Sequence, residues 1–235
     1  EKRKYSLVAS FNLSLRRLKK EELKRFTWLA ILPEDETIKE TMVATLWEVE
    51  QEDAEKTLRL LRRKALLKPS YQLHDLMQDM AKELLTASPN PTQEEILPGL
   101  GLTLQQAHSA LLDRYLSKTH NRLWHTLPPD GYIHTNLSWH LEQAKRTDEL
   151  HQLLKEETAT GRNAWFEVCE SIGQVANFVS HVTNAWRLAE EMFEQRSSEA
   201  ISLQCRYALI ISTLNSLASN IPAELIAALV EKKLW

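Results

Sequence analysis

Tyr71-Gln72-Leu73-His74-Asp75-Leu76-Met77-Gln78-Asp79-Met80-Ala81 turns from a short extended segment into an amphipathic helix. Leu76, Met80 and Leu84 recur at four-residue spacing, which lines one face of an α-helix. His74 is thereby predicted where a strand meets a helix. Unpaired amides at such a helix start carry positive potential, and an imidazole N–H beside them adds a donor for a phosphate oxygen. Asp75 competes with that use: as the capping residue it would satisfy one of those amides and put a negative charge where an anion would sit. On the residues alone, a structural histidine is the better-supported reading of this corner.

Outward from this stretch, helical patterns precede it. Ser14 to Leu32 places Leu15, Leu18, Leu23, Phe26, Leu29 and Ala30 on one broad face and is closed by Pro33. Thr41 to Trp47 and Asp53 to Leu66 form two more helical patterns. Leu66-Leu67-Lys68 and Tyr71-Gln72-Leu73 flank Pro69-Ser70, as expected for a minimal β-hairpin. Three helices, a small hairpin and a closing helix from Asp75 to Leu85 predict a winged-helix domain over residues 1–86.

Pro89, Pro91, Pro98, Gly99 and Gly101 then crowd into residues 87–101, a density that no helix interior or central strand tolerates, and this marks a linker. Helical periodicity dominates 102–235, at roughly 102–126, 133–145, 147–157, 161–180, 182–195, 198–219 and 222–233. Breaks fall at Pro128-Pro129-Asp130-Gly131, at Thr160-Gly161 and at Asn220-Ile221-Pro222. Short breaks imply antiparallel neighbours, hence a helical bundle or a solenoid-like arm. The expected fold class is mainly α.

The 71–81 stretch resembles the end of the winged-helix domain in NB-ARC or STAND-type signal-transduction ATPases. That class includes plant immune receptors and the apoptotic protease-activating factor. Leu73-His74-Asp75 stands where the family carries methionine-histidine-aspartate, with leucine replacing the methionine. Ser14-Leu15-Arg16-Arg17-Leu18 and Leu29-Ala30-Ile31-Leu32-Pro33-Glu34-Asp35 resemble the opening of that domain. Asn136-Leu137-Ser138-Trp139-His140-Leu141-Glu142-Gln143-Ala144 and Asp148-Glu149-Leu150-His151-Gln152-Leu153-Leu154 resemble the helical domain that follows it in the protease-activating factor. The resemblance implies a regulatory fragment of a nucleotide-switched ATPase of bacterial type, coupling sensor state to nucleotide state and oligomerisation. It implies that His74 senses an ADP phosphate in the intact protein, with Asp75 supporting it. It also implies an upstream nucleotide-binding domain that takes ADP or ATP with Mg²⁺, and a downstream repeat sensor, as partners.

The chain itself lacks the Gly-x-x-x-x-Gly-Lys loop that cradles phosphates. Its five glycines, Gly99, Gly101, Gly131, Gly161 and Gly173, are never followed by lysine. Alone it is expected to hydrolyse nothing and to carry no cofactor. The start at Glu1 and the stop at Trp235 go with an expectation of further domains on both sides. Leu225, Ile226, Leu229, Val230 and Leu234 form an apolar stripe near the end, from which self-association of the fragment is expected.

Composition bounds the remaining readings. The 235 residues are 43% hydrophobic with a formal charge of −3, enough for a core and without a general pull toward nucleic acid or anionic membrane. Residues 1–85 carry 17 basic against 15 acidic side chains. No apolar run approaches membrane-spanning length and no signal peptide is visible, so a soluble, cytoplasmic protein is expected. Cys169 and Cys205 match neither a disulfide framework nor a zinc motif.

Arg59, Arg62, Arg63 and Lys64 raise an alternative, a DNA-binding winged-helix transcription regulator with a helical effector or dimerisation domain. Glu52, Asp53 and Glu55 on the same helix favour a solvated face instead. A passive helical adaptor is the third reading. His120, His125, His134, His140 and His151 cluster in sequence, but none forms the one-turn pair of a metal site, and no metal is expected. His140 is expected as a packing residue, and Trp124, Trp139, Trp165 and Trp186 as core anchors.

Overall fold

The computed structural model describes residues 11–93, 96–191 and 198–219. It is mainly helical, as expected. Residues 11–16 are helical (α1), followed by α2 (Lys20–Trp28), α3 (Glu40–Trp47), α4 (Gln51–Arg63), α5 (Asp75–Thr86), α6 (Leu104–Leu116), α7 (Ile133–Gln143), α8 (Thr147–Leu153), α9 (Ala164–Ser171), α10 (Val175–Glu191) and α11 (Ser198–Ser219). Tight 3₁₀ turns occupy Leu29–Ile31 and Trp124–Thr126. None of the described helices is long and apolar enough to cross a membrane. The Leu225–Leu234 stripe lies outside the described residues.

The chain divides into two compact units, Glu1–Arg146 and Thr147–Trp235. In the first, the core is built from Leu15, Phe26, Leu29, Met42, Leu46 and Leu61, all fully buried, and continues through Leu111, Tyr115 and Ile133. The expected helix from Ser14 to Leu32 is interrupted at 17–19, where the Glu22 carboxylate accepts from the Lys19 amide at 2.8 Å and starts α2 afresh.

The expected β-hairpin, and with it the β part of the winged helix, is not formed. Among the described residues there is no β-strand, and the one isolated bridge pairs Glu157 with Asn163, far from this site. At 66–73 the Lys68 amide bonds the Gln72 carbonyl at 2.8 Å, and the Tyr71 amide bonds Lys68 at 2.9 Å. Tyr71 then enters the left-handed region at φ 58°, and its carbonyl turns to the Ile38 amide, 2.9 Å away. That reversal ends any ladder after one rung. Leu66, Leu67 and Leu73 are all buried, so the segment plugs the core instead of alternating faces.

The proline- and glycine-rich stretch does not separate the compact units. Its far end straps onto α5: the amides of Leu100, Gly101 and Leu102 bond the carbonyls of Leu84, Ala87 and Leu85 at 2.9–3.1 Å. Thr103 and Gln106 then cap α6 reciprocally, at 2.9 and 3.2 Å.

In the second unit, Trp165 on α9 donates to His181 on α10 at 2.8 Å, and His151 on α8 pairs with the Tyr207 hydroxyl on α11 at 2.7 Å. The 161–180 and 182–195 patterns resolve differently from expectation. Gly173 at φ 70° ends α9, and α10 then runs unbroken through 181.

Candidate functional site

His74 caps α5. Its backbone is extended (φ −79°, ψ 146°), and its carbonyl accepts from Met77 at 2.7 Å and Gln78 at 2.9 Å. Buried Leu73 and Met77 clamp the corner on either side, and the Gln78 side-chain Nε2 donates to the Leu32 carbonyl at 2.8 Å. The His74 and Asp75 side chains both stand exposed. Asp75 is the first helical residue and not the cap, a position that suits the helix dipole without occluding the amides. No side chain caps the helix. The buried stripe runs through Met77, Met80, Ala81, Leu84 and Leu85, one position on from Leu76, which is half-buried.

Two of the four basic residues of α4 are engaged by acids of the same helix. Lys56 bridges Glu52 at 2.9 Å and Asp53 at 3.4 Å, and Arg59 pairs with Glu55. Arg62 lies 4.7 Å over the Tyr71 ring. This is a solvated face paired with its own acids over residues 52–59, and that pairing counts against DNA readout.

A second group of residues is assembled between α6 and α7. Asp130 accepts the Tyr132 and Ile133 amides at the start of α7 at 2.9 Å each, while its other oxygen takes the Tyr115 hydroxyl at 2.5 Å. Thr41 of α3 bonds the Asp130 carbonyl at 3.1 Å, and Lys39 bonds that of Gly131 at 3.0 Å. Arg114 ties α6 to the end of α3 through Glu48 (2.9 Å) and the Leu46 carbonyl (2.5 Å), with Trp28 under its guanidinium at 4.2 Å.

Within this group His140 is fully buried, as expected of a packing residue, but it also belongs to a relay. Its Nδ1 lies 2.8 Å from Nδ1 of His108, and its Nε2 lies 2.6 Å from the Tyr132 hydroxyl. Burial pulls His108 down to about 4 and His140 well below the ordinary histidine range, with the neighbouring His108 adding to the effect. Both rings are therefore neutral at pH 7.

His108 was not among the histidines grouped by sequence. Its signal was its place on the Ala107–Leu111–Leu112 face of α6, which buries it against α7. The five clustered histidines are not brought together, and no group of side chains among the described residues has metal-binding geometry. Trp124 and Trp165 are core anchors; Trp139 and Trp186 are half-buried.

Residues 104–158, the segment from the first residue of α6 to just past α8, match the family model of the APAF-1 helical domain. That segment is thus similar to a regulatory domain of a STAND-type signalling ATPase. No curated protein is significantly similar to the chain.

Proposed function

We propose that the chain is the regulatory region of a nucleotide-switched STAND-type ATPase, with α2–α5 standing in the winged-helix position and α6–α8 forming the helical domain. What carries the reading is the match over 104–158, which begins where the α5 strap ends and contains the Asp130 and His140 clusters. Upstream, a nucleotide-binding domain would hold ADP or ATP with Mg²⁺ and supply the phosphate chemistry. Downstream, a repeat sensor would bias the state, and the whole would work in the cytoplasm.

His74 supports the reading as the nucleotide-facing residue. An exposed imidazole beside an uncapped helix start offers donors of the kind that fit a phosphate oxygen, and the buried neighbours hold its backbone still. Asp75 orients the corner. Switching follows if ADP and ATP states make different contacts with it, because a ligand shifts an equilibrium only by its differential affinity.

In the full-length protein, His74→Ala is expected to speed ADP dissociation by about ten- to a hundred-fold, the loss of one charge-assisted hydrogen bond. Stopped-flow release of a fluorescent ADP analogue measures this. Unchanged dissociation would leave His74 with a structural role and remove the nucleotide-sensing assignment.

A further inference from the structure

Beside the relay, α5, α6, α7 and the turn after Ile31 enclose a cavity of about 380 Å³, lined among others by Pro33, Glu34, Lys82, Leu104, His108 and Trp139. His108 is 2% exposed, yet it forms part of the wall. The direction of its hydrogen bonds can be deduced from the relay.

The Tyr132 side chain is 1% exposed, and the bond of its hydroxyl is to His140 Nε2. Among the described residues the hydroxyl has no other hydrogen-bond partner. If His140 donated through Nε2, the tyrosine proton would be left buried without an acceptor, which is costly. The tyrosine must donate. His140 then carries its proton on Nδ1 and donates to Nδ1 of His108, and neutral His108 must carry its own proton on Nε2. That N–H has no bond to the protein and is not sealed from solvent, whereas His151 Nε2 is both buried and unbonded. It meets the cavity.

Lys82, half-buried and without an ion pair to the protein, adds a second donor on the same wall. Two donors call for an acceptor that carries negative charge. Leu104, Pro33 and Trp139 offer an apolar bed, with Leu104 40% exposed. Glu34, exposed and likewise without an ion pair, puts a carboxylate on the same cavity.

We propose that this cavity binds a small zwitterionic carboxylate of the apolar α-amino-acid class. His108 Nε2–H and Lys82 take the carboxylate, Glu34 takes the ammonium group, and the side chain lies against Leu104 and Trp139. Such a ligand selects the tautomer the relay already holds, so binding rigidifies the α6–α7 pair without repacking it. This inference is independent of the nucleotide-switch reading, since every group in it belongs to one compact unit of this chain.

The test is ¹⁵N-histidine and ¹⁵N-indole NMR of the chain at pH 7, titrated separately with L-leucine, L-phenylalanine, acetate and inorganic phosphate. Expected are His108 ring ¹⁵N shifts that place the proton on Nε2 in the free protein, and a saturable shift of them and of the Trp139 indole with an amino acid below about 10 mM. Lys82→Ala and His108→Gln should each weaken binding by about tenfold or more, and Lys82→Ala should leave the circular-dichroism spectrum unchanged. Ring ¹⁵N shifts that place the His108 proton on Nδ1 overturn the tautomer argument. No saturable shift with either amino acid, or phosphate binding as tightly as they do, overturns the ligand assignment.

Discussion

Asp130 accepts from three donors, two amides at the start of α7 and the Tyr115 hydroxyl. Asp130→Ala therefore removes the acceptor of two amides at the start of α7 and of the buried Tyr115 hydroxyl proton, and it should cost roughly 2–4 kcal/mol. Asp130→Asn keeps an acceptor and should cost less than half as much. Urea midpoints with unchanged m-values measure both. The His108–His140 pair makes a pH prediction at the same scale. In the unfolded chain both imidazoles titrate near 6.5. In the fold, His108 is held down to about 4 and His140 well below normal. Between pH 6.5 and 4 the unfolded chain thus binds more protons than the folded one, so stability is full above that window and is lost as pH falls through it. His108 alone contributes roughly 3 kcal/mol by that route. Buried His134 and His151, both lowered by desolvation, act in the same direction. Urea midpoints followed from pH 7 to 4 should show this slope, and His108→Gln should flatten it.

At the scale of elements, the strap between α5 and α6 depends on one glycine. A Cβ on Gly99 would sit 2.2 Å from the Leu84 carbonyl oxygen and 2.3 Å from that of Ala87, both backbone atoms held in place by α5 and its end. Gly99→Ala must push the strap away and break the bonds of residues 99–102, at a cost of a few kcal/mol. Gly161→Ala is the control. It meets nothing within 4 Å, so only its φ of 76° is strained, worth about 1 kcal/mol. Thermal melts of the two variants should separate clearly. Hydrogen exchange should show that Gly99→Ala loosens the first turn of α6, while Gly161→Ala leaves it protected.

For the whole molecule, the compact unit Glu1–Arg146 keeps α6 and α7 with the helices before them. Arg114 and Tyr115 on α6 and Lys118 just after it reach back to α3 and to the Asp130 turn, the Lys118 ammonium bonding the Thr45 hydroxyl at 2.7 Å. A chain ending at residue 146 is expected to unfold cooperatively. A chain ending at 101, where the composition changes, would leave Arg114's partners without it and uncover the core that α6 buries. Circular-dichroism melts should find the shorter chain less stable by several kcal/mol, with a broader transition.

Much of the helical layout was legible along the chain, because helix periodicity and its interruption by proline and glycine are local properties. The start of α5 at the His74 corner, α3, α7 and the breaks near 130 and 161 could all be read this way. His140 could be read as a packing residue from its apolar neighbours at helical spacing. The turn at 66–73 could not. Two short apolar runs around Pro69-Ser70 suit a hairpin as well as a core plug, and the choice lies in the Tyr71 carbonyl bonding Ile38 and in the burial of Leu66 and Leu73. The relay was equally hidden: His108 and His140 are 32 residues apart, and only the packing of α6 on α7 sets their rings 2.8 Å apart at Nδ1. Sequence determined where helices begin and end, since each depends on neighbours a turn away. Tertiary structure alone decided which buried polar groups meet, because a histidine or aspartate takes its partner, its tautomer and its charge from whatever distant element seals it from water.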